Sequence, residues 1–147
     1  MDSITTNSPV ISNLASPNSD GMHLQINSNR TLTVYFRFGL STWLATTPDL
    51  VQLEVFNLIC FSWSVLAGIH ITLNGICSAI APSPLQVTGF NKFKQASTSN
   101  SVLIIGKGPF NPFGNDTANN MEFILVDLKL WNAKYFPSDL YRNLLEF

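Results

Sequence analysis

The carboxylates, the side chains best suited to acid–base chemistry, are scattered along this chain. There are 9 Asp and Glu residues against 8 Lys and Arg, for a formal net charge of −1. Cleavage of a glycosidic bond needs two carboxyl groups that flank the bond. Glu54, Glu122 and Glu146 never share a predicted strand, and Asp127 lies five residues from Glu122, on the opposite face of its strand. The sequence therefore predicts no catalytic pair, and we expect no enzyme activity.

The two cysteines, Cys60 and Cys77, are not expected to form a disulfide with each other. The predicted hairpin register places Cys60 opposite Leu73 and Cys77 opposite Thr72. The cysteines would then lie about 10 Å apart on opposite faces, whereas a disulfide needs Cα atoms within about 7 Å. We therefore expect two free, buried thiols. Neither of the 2 histidines belongs to a recognisable nucleophile motif, so no catalytic thiol is predicted.

The tryptophans are candidate ligand contacts. Trp63 and Trp131 lie on predicted strands, where large aromatic side chains usually fill the core between sheets. Trp43 lies in residues 41–44, a segment that looks exposed, so it is the better candidate for a ligand contact. His70 alternates outward with polar neighbours, which places it on a solvated face.

Short β-strands are the elements that must position these residues. Apolar and polar residues alternate with a period of two, helical periodicity is nearly absent, and Gly, Pro and Asn separate the segments. The predicted strands are His23–Asn27, Leu32–Phe38, Leu50–Val55, Leu58–Ser64, Ile69–Leu73, Val102–Ile105 and Met121–Trp131. A short helix is predicted from Pro137 to Leu145. This pattern indicates an all-β fold, an antiparallel β-sandwich with a short C-terminal helix.

The composition predicts a polar leader followed by one domain. Residues 1–21 are rich in Ser, Asn, Thr and Pro and are expected to be disordered, without the pattern of a secretory signal. Residues 22–147 are long enough to enclose one core. The run from Leu58 to Ala81 is uncharged and long enough to span a bilayer, but its Asn-Gly turn signal and its alternation favour strands. The near-neutral charge offers no basic surface for nucleic acid.

Five short motifs follow one another between Phe56 and Leu145. They are Ile59-Cys60-Phe61-Ser62-Trp63, then residues 68–75 ending in Asn74-Gly75, then Ile104-Ile105-Gly106, then Asp127-Leu128-Lys129-Leu130-Trp131, and finally Phe136-Pro137-Ser138-Asp139-Leu140. In this order they resemble the second half of a pentraxin or laminin-G-like domain, which has a concanavalin A-like jelly-roll fold.

The resemblance implies a non-catalytic recognition or adhesion module outside the cell or at its surface, with a protein or glycan ligand. In the order of its motifs, the chain is similar to the pentraxin-like domains of adhesion G-protein-coupled receptors or of secreted proteins. Full domains of this kind are longer, so the resemblance implies that the opening strands are missing. An edge beside Leu32–Phe38 or Val51–Val55 would then be bare, and we expect self-association there. A degenerate glucanase-like sandwich and an inactive truncated fragment are the alternatives.

The resemblance also bears on calcium and on Cys60. Calcium-binding pentraxins carry a Glu-Gln-Asp cluster where this chain has Lys107-Gly108-Pro109-Phe110, so neither calcium nor another cofactor is expected. The Gly-, Pro- and Asn-rich loop at 107–120 remains a candidate ligand loop through Lys107, Phe110, Asn115 and Asp116. Cys60 matches a family cysteine whose partner lies on an upstream strand. The resemblance therefore implies that Cys60 is free or bridged to a partner outside this chain.

Two N-glycosylation sequons lie in predicted turns. They are Asn29-Arg30-Thr31 and Asn115-Asp116-Thr117. Both asparagines are candidate acceptors, which agrees with an extracellular location.

Overall fold

The computed structural model describes residues 7–84, 86–87, 103–106, 111–114 and 124–129. These residues form nine β-strands and no helix. The strands are β1 (Ser8–Ser12), β2 (Gly21–Ile26), β3 (Thr31–Phe38), β4 (Ser41–Leu50), β5 (Ile59–Ser64), β6 (Gly68–Leu73), β7 (Ile76–Ala81), β8 (Gln86–Val87) and β9 (Ile104–Ile105).

The strands form two antiparallel sheets. Sheet A has the order β8-β4-β3-β2-β1-β9, and sheet B has the order β5-β6-β7. Both sheets contribute to one core, with Leu32 and Val34 from sheet A and Ile69 and Ile71 from sheet B fully buried. The all-β, antiparallel prediction is confirmed for the described residues, and the arrangement is consistent with a β-sandwich.

The hairpins form where the turn signals predicted them. Asn74 and Gly75 both have positive φ values, 52° and 84°, as a type I′ turn between β6 and β7 requires. Gly68 (φ 69°) begins β6, and a Cβ at this position would overlap the carbonyl oxygen of Ala81. The predicted strands at 23–27, 32–38, 58–64 and 69–73 correspond to β2, β3, β5 and β6.

The predicted disorder of residues 1–21 is wrong for the part that the structure describes. Ser8–Ser12 forms the buried strand β1, which pairs with β2 on one side and β9 on the other. The Asn13 side chain anchors the connection that follows, because its Oδ1 accepts the Met22 N–H at 2.6 Å. Val10 and Ile11 belong to the core, and the backbone of β1 pairs with β2 and β9.

The predicted bare edge beside Leu32–Phe38 is also wrong, because β3 pairs with β2 and with β4.

The strand predicted at Leu50–Val55 does not form beyond Leu50, which is the last residue of β4. The pairing of β3 with β4 ends at Leu50, and the next residue, Val51, donates its N–H to the carbonyl oxygen of Arg30. The Asn57 amide then closes a turn by hydrogen bonding to the backbone of Gln52. The apolar and polar alternation at 50–55 is therefore that of a strand end followed by a turn.

The strand predicted at Met121–Trp131 does not form over residues 124–129, the part that the structure describes. Asp127 has a φ of 59°, which is incompatible with an extended strand, and residues 124–128 are exposed. The helix predicted at Pro137–Leu145 lies outside the described residues. No helix long and apolar enough to cross a membrane occurs in the described part of the chain, and the run from 59 to 81 forms β5, β6 and β7.

Candidate functional site

The face of sheet A that points away from the core is polar yet largely buried. On β2, Met22, Leu24 and Ile26 enter the core, so the alternation of a strand turns His23 and Gln25 to the outer face. His23 is nevertheless 1% exposed and Gln25 3% exposed. Buried polar groups must be hydrogen bonded to avoid a large desolvation cost.

A chain of hydrogen bonds that includes no Asp, Glu, Lys or Arg side chain crosses this face, and we call its side chains the polar track: His23, Gln25, Asn27, Thr33 and Thr46. His23 Nε2 lies 3.3 Å from Gln25 Oε1, and Gln25 Nε2 donates to Asn27 Oδ1 at 2.7 Å. Asn27 Nδ2 donates to Thr33 Oγ1 at 2.8 Å, and the Thr33 and Thr46 hydroxyls are 2.9 Å apart. The track thus joins β2, β3 and β4 and ends at the exposed Thr46.

An aromatic ring covers the buried end of the polar track. The Phe113 ring meets His23 and Tyr35 edge-on, with ring centroids 5.8 and 6.0 Å away. Tyr35 lies opposite His23 in the β2–β3 register, so one ring can contact both. Phe113 remains 40% exposed. The outer face therefore combines a fixed, partly exposed aromatic ring with hydroxyl and amide groups.

This chemistry suits the binding of a neutral, hydroxyl-rich ligand. Among the described carboxylates, Asp20 accepts the Gly39 N–H and Asp49 accepts the Ser78 hydroxyl, and neither belongs to the polar track. Within the described residues, no group of three His, Cys, Asp or Glu side chains is placed to hold a metal ion. Glu122 and Glu146 lie outside the described residues.

The prediction that Trp43 contacts a ligand is wrong. Trp43 lies on β4 facing the core, is 2% exposed, and meets Trp63 edge-on with ring centroids 5.3 Å apart. Pairing with Phe36 on β3 places Trp43 on the inward face, a placement that residues 41–44 alone do not reveal. The prediction that Trp63 packs in the core is confirmed, since Trp63 stacks on Phe36 at 5.1 Å between ring centroids.

The predicted ligand loop at 107–120 is described only at residues 111–114. Lys107, Phe110, Asn115 and Asp116 lie outside the described residues, as does Trp131. The loop residue that the structure brings to the site is Phe113, which the sequence reasoning missed. The available signal was an aromatic residue between Pro112 and Gly114 in a loop already proposed to bind a ligand.

Both cysteines are free, as predicted, but the predicted register was wrong by one residue. Cys60 and Cys77 both pair with Thr72, so they flank one residue on the same face rather than lying on opposite faces. Two strand spacings, about 10 Å, still exclude a disulfide. Cys60 is buried and Cys77 is exposed, which corrects the prediction of two buried thiols. Burial raises the pKa of the Cys60 thiol above its ordinary value of 9.0.

His70 and Asn29 are the remaining predicted residues that the structure describes. His70 is only partly exposed, and its Nε2 lies 3.2 Å from Ala67 O, so the ring is held against the turn before β6. Asn29 is exposed in the turn between β2 and β3, as an acceptor for glycosylation must be.

Comparison of the chain with protein-family models, with curated proteins and with solved structures yields no match.

Proposed function

We propose that this protein is a non-catalytic extracellular recognition module that binds a neutral glycan on the outer face of sheet A. The observation that carries the proposal is the contact of the Phe113 ring with His23 and Tyr35, beside a track of hydrogen-bonding side chains that contains no Asp, Glu, Lys or Arg. The ring offers an apolar face to the C–H groups of a sugar. The hydroxyls of the half-buried Tyr35 and the exposed Thr46 offer donors and acceptors to its hydroxyl groups.

The proposed fold is a concanavalin A-like jelly roll of the pentraxin and laminin-G kind. Two features of sheet B support it. Cys60 and Trp63 lie on β5, and β6 ends in the Asn74-Gly75 turn, the order that the resemblance requires. Among the described strands, β1 to β4 follow one another as neighbours in sheet A.

A glycan array followed by calorimetric titration with the neutral glycans that bind tests this function. Phe113→Ala is expected to weaken binding about tenfold, since an aromatic contact is worth about 1.5 kcal/mol. Phe56→Ala is the matched control. Phe56 is an exposed phenylalanine in the turn at 52–57, away from the polar track, so this variant should bind like the wild type.

The expected result is binding of an uncharged glycan that Phe113→Ala weakens and Phe56→Ala leaves unchanged. Absence of any neutral-glycan binding would overturn the proposal. Equal effects of the two variants would also overturn it, because the contact would then not involve the outer face of sheet A.

A further inference from the structure

The turn between β2 and β3 holds Asn29 in a defined geometry. Asn29 Oδ1 accepts the Thr31 N–H at 3.2 Å and the Thr31 hydroxyl at 2.7 Å. Arg30, between them, has a φ of 68°, which closes the turn. Asn29 and Arg30 therefore lie in the turn, with Asn29 exposed, and the half-buried Thr31 begins β3.

Both hydrogen bonds use the oxygen of the Asn29 amide, and neither uses its nitrogen. Asn29 Nδ2 is the atom that would carry a sugar, and Asn29 is exposed. Attachment of a glycan to Nδ2 leaves Oδ1 able to accept both hydrogen bonds. We infer that Asn29 is an N-glycosylation site in the mature protein, an inference that rests on the extracellular location contained in the proposed function.

The transfer requires a polyprenyl-pyrophosphate-linked oligosaccharide as donor. A bond forms between Asn29 Nδ2 and the anomeric carbon of the oligosaccharide, and the bond from that carbon to the pyrophosphate oxygen breaks. One proton leaves the amide nitrogen, and the polyprenyl pyrophosphate departs as the leaving group. No oxidant or reductant is needed.

The acceptor turn is linked to the polar track through one hydroxyl. Thr31 Oγ1, which donates to Asn29, also accepts a hydrogen bond from Asn27 Nδ2 at 2.8 Å. Asn27 belongs to the track, so a glycan on Asn29 would stand beside the outer face of sheet A. Thr31 thus has two separable roles, as the hydroxyl residue of the sequon and as a partner of Asn27.

The test is expression of the full chain behind a heterologous signal peptide in cells that perform N-glycosylation. All variants carry Asn115→Gln, so that Asn29-Arg30-Thr31 is the remaining sequon. We expect the secreted protein to show a mass increase that peptide N-glycosidase removes. Asn29→Gln and Thr31→Ala should both abolish the increase, whereas Thr31→Ser, which keeps a hydroxyl, should retain it.

Secreted protein without the removable mass would overturn the inference, as would a mass increase that persists in Asn29→Gln. Secretion of the Asn29→Gln variant serves as the control for folding. Glycan binding is measured separately on the unglycosylated chain, so failure of glycosylation at Asn29 and failure of the proposed function give different results.

Discussion

Strands β2 and β7 show two ways of placing a strand in this fold. β2 pairs with β1 and β3, and its residues from Met22 to Ile26 are buried whichever face they point to. β7 pairs with β6 and, among the described strands, with no other, and its Ile76 and Ile80 are 69% and 55% exposed. Burial on both faces forces the polar residues of β2 into hydrogen bonds, whereas β7 leaves apolar side chains in solvent.

The largest expected effect is on the core face of β2. Leu24→Ala should lower the free energy of unfolding by about 2–5 kcal/mol, because Leu24 is buried and its truncation leaves a cavity. Ile80→Ala on β7 is the control and should change stability by less than about 0.5 kcal/mol. Chemical denaturation of both variants measures the difference in the free energy of unfolding. Equal losses in the two variants would contradict the difference in burial between β2 and β7.

The outer face of β2 should show the next effect. Gln25→Ala removes the acceptor near His23 Nε2 and the donor to Asn27. It should therefore destabilise the fold by about 1–3 kcal/mol, the cost of leaving buried polar groups unsatisfied. Gln52→Ala, at an exposed glutamine, is the matched control. A loss no larger than that of the control would show that the polar track does not contribute to stability.

The exposed end of the polar track should matter less. Thr46→Val removes the hydrogen bond between the Thr46 and Thr33 hydroxyls and should cost about 0.5–1.5 kcal/mol. Thr42→Val, on the same face of β4, is the control and should be close to neutral. Thermal unfolding compares the two variants, and a more stable Thr46→Val would contradict the role assigned to this hydrogen bond.

Cys60 and Cys77 extend the comparison to the outer face of sheet B. Cys77 should react with a thiol reagent at once at pH 8, and Cys60 only when the protein unfolds, because burial raises the Cys60 pKa and blocks access. A raised folded-state pKa favours the neutral thiol. The contribution of Cys60 to stability is therefore complete below pH 9.0 and falls as the pH rises through the folded pKa. Equal reaction rates in the native protein would contradict this assignment.

The smallest effect on stability is expected at the edge of sheet B. β7 contains no charged residue or proline, whereas the exposed end of β4 carries Pro48 and Asp49, which discourage pairing with another chain. If the chain self-associates through this edge, Ile80→Lys should reduce the association in sedimentation experiments and change the free energy of unfolding by less than about 0.5 kcal/mol. Leu66→Lys, in the exposed turn before β6, should leave association unchanged. If Ile80→Lys associates as strongly as the wild type, the edge of β7 is not the surface through which the chain associates.

The sequence predicted those strands whose pattern and partner are local. β5 and β6 were placed because one turn at Gly68 joins them, and the same signals located β2 and β3. β1 was missed because its partners β2 and β9 are set by tertiary pairing, and Trp43 was misplaced because its inward direction depends on its pairing with Phe36. A one-residue error in the β5–β6 register moved Cys60 to the wrong face, since side chains alternate along a strand.

The candidate site was predictable only in part, for the same reason. Gly, Pro and Asn marked the loop at 107–120, but the contact of Phe113 with His23 and Tyr35 joins segments that are far apart in sequence. The buried polar track was not predicted, because the alternation of apolar and polar residues along β2 does not reveal that its polar face is buried as well.

The central claim, that the outer face of sheet A binds a neutral glycan, is tested most directly by amide and aromatic NMR shifts during titration with a glycan. We predict that the shifts concentrate at Phe113, Tyr35, Thr33 and Thr46, and that Ile71 in the core and Ile80 on β7 stay unchanged. Saturable shifts centred on β7 or on the turn at 52–57, with none at Phe113 or Tyr35, would contradict the claim.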